Sequence, residues 1–374
     1  MSTVDASLPD RLRGRHAEMV AATRALVEVE SPSSDLEALR RCADVCAEIG
    51  QKVTGVAADL AVNDGRPLLR WRFGDAPRLL LLGHFDTVWP LGTLQRLPFT
   101  ERDGRLTGPG VFDMKAGIVQ GFFALAALDD PGGVEILLDA DEETGSASSR
   151  DAIAEAARRV DAVLVLEPSQ DGALKTARKG VSMYRIEIEG RAAHAGLEPH
   201  KGVNATVELA HAVLALERIA RPDLGTTVTP TVAAAGTAVN VVPAAARLQV
   251  DVRALTPAEQ DRVDAEIHDL AATLPGARLA VHGAPDRPPL PAASSAALFE
   301  RARDVARRLG LGELRGVEVG GGSDGNLTAA EGTPTLDGMG AVGDGAHAET
   351  EHVLSATMPE RAALLAALIH ELRG

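Results

Sequence analysis

Between residues 12 and 54 apolar positions recur with helical spacing in two stretches, separated by Ser31-Pro32-Ser33-Ser34-Asp35, which joins a stop to a cap for the next helix. Short apolar runs follow near 67–73, 78–83, 134–140 and 161–166, and a helical pattern over 116–128 lies between the second and the third. Strands this apolar lack two-residue alternation because both of their faces are covered. Alternating with helices, they predict an α/β fold on a parallel or mixed sheet. Ligand chemistry in such sheets gathers in loops beyond the carboxyl ends of the strands.

The pattern changes after Lys179-Gly180. Over 181–189, Met183, Arg185, Glu187 and Glu189 fall on one face and Ser182, Tyr184, Ile186 and Ile188 on the other. A helix at 202–218, strands near 227–235 and 245–253, a helix at 257–273 and a strand near 277–282 complete a β-α-β-β-α-β order. In the third strand Leu248, Val250 and Val252 face the helices, while Arg247, Gln249, Asp251 and Arg253 line an open face. The run Gly283-Ala284-Pro285-Asp286-Arg287-Pro288-Pro289 reads as a return linker. Helices at 294–309 and 358–372 and a strand near 334–337 then resume the first pattern. The domain reading is a larger domain, 1–179 with 289–374, into which a smaller domain, 180–288, is inserted.

The apolar run Leu79–Leu82 ends in His84 and Asp86, which point the same way in an extended chain, so the carboxylate can orient a metal-binding imidazole. Other acids and one more imidazole fall at comparable places. Asp113 stands at the mouth of a helix, Asp139, Asp141, Glu142 and Glu143 crowd a turn after a strand, Glu167 ends another strand, and His347 lies in a Gly-rich loop. Singly, these have plainer readings: a helix cap, a solvated acidic turn, an incidental surface histidine. Together they form the ligand mixture suited to borderline divalent metals such as zinc, although no short HExxH-type spacing is present.

Composition narrows the function classes. A formal charge of −15 over 374 residues argues against a nucleic-acid or anionic-membrane surface. Cys42 and Cys46 are the only cysteines and sit one helical turn apart, so no disulfide framework is expected. The start lacks a basic region followed by an apolar core, and no run approaches membrane-spanning length. A cytoplasmic protein is the expectation.

The motifs GHFDTV (83–88), GPGVFDMKAG (108–117), DEETGS (141–146), LEP (166–168), GRAAHAG (190–196), NVVP (240–243), DVR (251–253), GGGSDG (320–325) and GAHAE (345–349) resemble the M20 family of di-zinc amidohydrolases. The resemblance is greatest to its glutamate carboxypeptidase branch, with acetylornithine deacetylases and succinyl-diaminopimelate desuccinylases as cousins. It implies a mixed-sheet zinc-peptidase catalytic domain with an inserted ferredoxin-like lid and dimerisation domain. It makes His84 and Glu167 ligands of one zinc, Glu143 and His347 ligands of the other, and Asp113 the bridge, with a cis Asp113–Met114 peptide. Cobalt or manganese could substitute for zinc.

The same resemblance makes Asp86 the orienting partner of His84 and Glu142 the general base. His194 becomes an oxyanion donor contributed by the partner subunit of a homodimer. Arg253, Asn240, Arg287 and Gly322 become substrate-binding residues, although Arg253 also reads as half of a surface ion pair with Asp251. The implied activity is hydrolysis of N-acyl-L-amino acids or small peptides carrying a free carboxylate, with release of a glutamate-like C-terminal residue. An N-deacylase or dipeptidase of the same family, or a non-catalytic metal- or peptide-binding module, are the other readings. Two departures from the family pattern stand out: Ala116 replaces a glycine, and Ser323 replaces the threonine of the carboxypeptidase branch, which weighs against a folate substrate.

Overall fold

The computed structural model describes residues 5–373. Two compact units divide the chain. The larger holds the described residues up to Ala177, Leu290–Val319 and those from Ser323 on; the smaller holds Arg178–Pro289 and Gly320–Gly322.

A six-stranded mixed sheet organises the larger unit, in the spatial order Asp59–Asn63, Arg66–Phe73, Val134–Asp139, Leu79–His84, Ala162–Val165 and Thr335–Leu336. The last four run parallel to one another, and the first two form an antiparallel flank. Every residue of Leu79–His84 is buried. Leu79 and Leu81 join the core on one face with Ile118, Phe122 and Leu365, while Leu80 and Leu82 join Ile153, Ala156 and Leu327 on the other. Burial of each leucine contributes about 1.5–3 kcal/mol, which accounts for a run with no polar alternation. The expected strands and the 116–128 helix (Ala116–Ala126) all form, and Asp35 caps Leu36–Thr54 by accepting from the Glu37 and Ala38 N–H groups. The Asp113–Met114 peptide is cis.

The smaller unit has the β-α-β-β-α-β order: Gly180–Glu189, Ala205–Ile219, Thr227–Ala235, Ala245–Ala254, Pro257–His268 and Arg278–Arg287. Its four antiparallel strands leave Met183, Arg185, Glu187 and Glu189 exposed and bury the alternate positions of Gly180–Glu189. Two sequence expectations are corrected here. The segment 283–289 is not a linker, because Arg278–Arg287 continues as an edge strand along Gly180–Glu189, with Pro285 accommodated beside a register shift where no further strand needs its missing N–H. The second helix stops at His268 rather than 273, because the buried Glu208 carboxylate captures the N–H groups of Thr273 and Leu274 at 2.9 and 2.7 Å.

Short elements escaped the pattern reading: the exposed edge strand Asp59–Asn63, the helix Arg150–Arg158, and a small sheet made of Thr100–Arg102, Arg105–Thr107, His352–Leu354 and Gly343–Asp344. Among the described residues no helix is long and apolar enough to cross a membrane.

Candidate metal centre

Strand register gathers the chemistry at the carboxyl ends of the larger sheet's central parallel strands. His84 pairs with Asp139 and Leu82 with Val165, so His84, the acidic turn after Asp139 and the Glu167 strand end emerge side by side. Asp113 arrives from the non-helical turn before Ala116–Ala126, and His347 from a loop in which its own φ is 63°.

Asp113 stands between two imidazoles. Its Oδ1 lies 3.3 Å from His84 Nε2 and its Oδ2 3.4 Å from His347 Nε2. Glu167 Oε1 is 3.4 Å from His84 Nε2, and Glu143 Oε2 is 3.1 Å from His347 Nε2. The result is two three-residue groups sharing Asp113: His84, Asp113 and Glu167, and Asp113, Glu143 and His347, with each group's ligand atoms within 4.8 Å of one another.

The electrostatics fit cations at both positions. Burial opposes charge on His84, yet Asp113, Asp86 and Glu167 together hold its pKa well above the usual histidine value. Asp113 and Glu143 raise that of His347 to about 10. Burial disfavours ionised Asp113, but the two imidazoles overcome it and hold this carboxyl well below the usual range, whereas burial raises Glu143. A field that retains protons on two imidazoles also favours divalent cations. His84 Nε2 and Asp113 Oδ1 are, moreover, buried and make no hydrogen bond despite facing each other. Orphaned ligand atoms of this kind, in a histidine and carboxylate set, suit zinc or a similar metal.

The supporting contacts are specific. His84 Nδ1 approaches the Asp86 backbone carbonyl at 3.1 Å and the Asp86 Oδ1 at 3.3 Å, so the orienting hydrogen bond goes to the main chain and the carboxylate stands beside it. Asp86 Oδ2 in turn accepts from Ser33 Oγ at 2.6 Å and from the Glu143 N–H at 3.3 Å. Lys175 Nζ lies 3.6 Å from Glu167 Oε2. Glu142 occupies the turn beside Glu143, is half-buried, and lies outside both ligand groups.

In the smaller unit a two-stranded pairing of Ala193–His194 with Val241–Val242 brings His194 next to Asn240, whose carbonyl accepts from the Ala195 N–H. His194 Nδ1 accepts from the Gly196 and Leu197 N–H groups, each at 3.2 Å, which assigns its proton to Nε2 and makes that atom a donor. Arg253 pairs through Nε and Nη2 with both oxygens of Asp251 at 2.8 Å. Arg287 is 4% exposed, and the Gly322 carbonyl accepts from Arg178. Ser323 is buried, caps Asp324–Ala330 and donates to Asp337 at 2.6 Å. Its exchange for threonine therefore concerns a helix cap.

Sequence reading missed Ser33, Lys175 and Glu351. Glu351 accepts from the backbone N–H groups of Gly110, Phe112 and Asp113 and from Trp89 Nε1. Its one sequence signal was its position four residues after His347.

Residues 80–371 match the model of peptidase family M20/M25/M40. Carboxypeptidase G2 of Pseudomonas sp. (strain RS-16) is 33% identical over 368 residues, 93% of this chain and 87% of that protein. The succinyl-diaminopimelate desuccinylase of Caulobacter vibrioides is 31% identical over 54% of this chain and 55% of its own. Among solved structures, aminopeptidase PepT of Bacillus cereus superposes with a TM-score of 0.76 at 21% identity, covering 98% of this chain and 99% of that one. An M20 metallo-carboxypeptidase of Sulfolobus solfataricus gives 0.76 at 16% identity, covering 94% and 99%. The chain thus belongs to peptidase family M20/M25/M40 and is a metal-dependent hydrolase of that family.

Proposed function

We propose that the chain hydrolyses the amide bond of an N-acyl-L-amino acid or small peptide at a two-zinc centre, releasing a C-terminal, glutamate-like amino acid. The observation that carries this reading is the Asp113 carboxylate, with one oxygen toward each of two imidazoles that are themselves paired with separate glutamates. His84 and Glu167 hold one ion, Glu143 and His347 the other, and Asp113 both. Zinc bound there supplies Lewis acidity, lowering the pKa of water and polarising a carbonyl. Glu142 takes the proton of the attacking water and passes it to the leaving nitrogen. Ser33 and the Glu143 N–H hold the carboxylate of Asp86, whose main chain orients His84.

The carboxypeptidase relative supports release of a C-terminal residue, for which the Arg253 guanidinium, with Asn240 and Arg287, offers cationic and amide donors. Pairing of two chains through the smaller unit's exposed sheet face, with the partner subunit's His194 donating to the oxyanion from Nε2, completes the reading. The desuccinylase match favours one alternative, N-deacylation of a small acyl amino acid by the same centre.

Glu142→Gln tests the core of the proposal. It preserves shape and spares all five ligands, so zinc content should stay near that of the unmodified protein while kcat falls by orders of magnitude. Parallel loss of metal and activity makes Glu142 a ligand and rejects the base assignment.

A further inference from the structure

Glu351 is 3% exposed, yet no cation contacts its carboxylate among the described residues. Four N–H donors occupy it instead. Oε1 accepts from Phe112 N–H at 2.9 Å and Asp113 N–H at 3.1 Å, and Oε2 from Gly110 N–H at 3.0 Å and Trp89 Nε1 at 2.9 Å. Three of these donors are main-chain groups of the turn that carries Asp113. The carboxylate itself belongs to the loop that carries His347, which the Ala348 N–H to Gly345 carbonyl and Glu351 N–H to Ala348 carbonyl bonds fold into consecutive turns. One side chain therefore ties the bridging aspartate to the second-position histidine.

The two metal positions need this tie unequally. His84 and Glu167 come from strand ends fixed by sheet register within the core. The His347 side chain is 51% exposed and reaches Asp113 from a loop, so its position depends on what anchors that loop. We infer that Glu351 is a positioning residue that holds the Asp113 turn and the His347 loop together, and thereby sets metal affinity chiefly at the Asp113–Glu143–His347 position. This inference rests on the two-ion reading above.

Glutamine cannot replace Glu351. Whichever way its amide is turned, its NH2 group faces two N–H donors and leaves them without an acceptor. Trp89→Phe, in contrast, removes one donor and leaves all three bonds to the Asp113 turn.

The test is zinc titration of the metal-free protein by calorimetry, with bound zinc counted by mass spectrometry after dialysis, on the unmodified chain, Glu351→Gln and Trp89→Phe. The unmodified chain should bind two ions. Glu351→Gln should keep the tighter ion and bind the weaker one about 10–100-fold less well, the loss typical of removing a group that orients metal ligands. Trp89→Phe should retain two ions with a smaller change in the same, weaker step.

A Glu351→Gln protein that binds both ions as the unmodified chain does, or that weakens both steps equally, overturns the inference and leaves the two-ion reading standing. An unmodified chain that binds one ion overturns both. If Glu351→Gln does not fold, Glu351→Asp decides, because its shorter side chain keeps the charge but cannot span all the donors: a change confined to the weaker step supports the tie, and unchanged or equally weakened steps refute it.

Discussion

Arg253 donates to Asp251 through Nε and Nη2, which leaves Nη1, 3.5 Å from the Gly320 carbonyl, as the least committed edge of its guanidinium. The surface-pair reading of the sequence is what the structure shows, and the proposed carboxylate-reading role would have to use the remaining edge. A substrate carboxylate would share the guanidinium with Asp251, whose grip orients the donor plane. Arg253→Leu should cost about 2–5 kcal/mol, mainly in KM, if it removes the partner of a desolvated substrate anion. Conversion of the substrate acid to its primary amide should cost the unmodified enzyme a similar amount and the variant much less, because one interaction cannot be lost twice. kcat/KM for both enzymes against both compounds measures this. Additive losses would show that Arg253 does not read the carboxylate.

At the scale of elements, the carbonyl of Leu166 sits between two glycines. A Cβ on Gly117 would lie 2.2 Å from that oxygen, and one on Gly340 would lie 2.1 Å from it. Helix Ala116–Ala126 can therefore lie against the strand end that presents Glu167 only because residue 117 has no side chain, whereas Ala116 beside it is simply buried. Gly117→Ala should push the Leu166 backbone away, lowering stability by about 1–3 kcal/mol and weakening metal at the Glu167 position. Thermal melts of the metal-free and zinc-loaded variant check both effects; an unchanged melting temperature in both states would reject the argument.

The strands and long helices were legible in sequence because burial on two faces, or on one helical stripe, writes itself into residue type. Among the proposed ligands, His84 and Glu167 were legible for the related reason that polar tips on buried strands have no packing use. Glu351 and Ser33 were not, since each acts through partners 238 to 241 or 53 residues away and resembles an ordinary loop acid or turn serine. The edge strand Asp59–Asn63 was missed because its mostly exposed residues carry no buried pattern.

At the scale of the whole molecule, the two units should answer to different agents. All five proposed ligands lie in the larger unit, where three carboxylates and two imidazoles converge. A metal that binds the folded unit and not the unfolded chain stabilises it by RT ln(1 + [L]/Kd), about 4 kcal/mol at a thousandfold excess over Kd. The smaller unit holds no candidate metal group among the described residues, but it exposes Met183 and Val232 on strands of its sheet. If that sheet pairs two chains, its melting should instead depend on protein concentration.

Scanning calorimetry can follow both variables on the full chain. Chelation should lower one transition and leave the other nearly fixed, while a hundredfold dilution should lower the second. A single transition that moves with chelator alone would mean that the smaller unit melts together with the larger and that its sheet adds no association energy. That result would remove the physical support for pairing through this surface and leave the metal centre assignment intact.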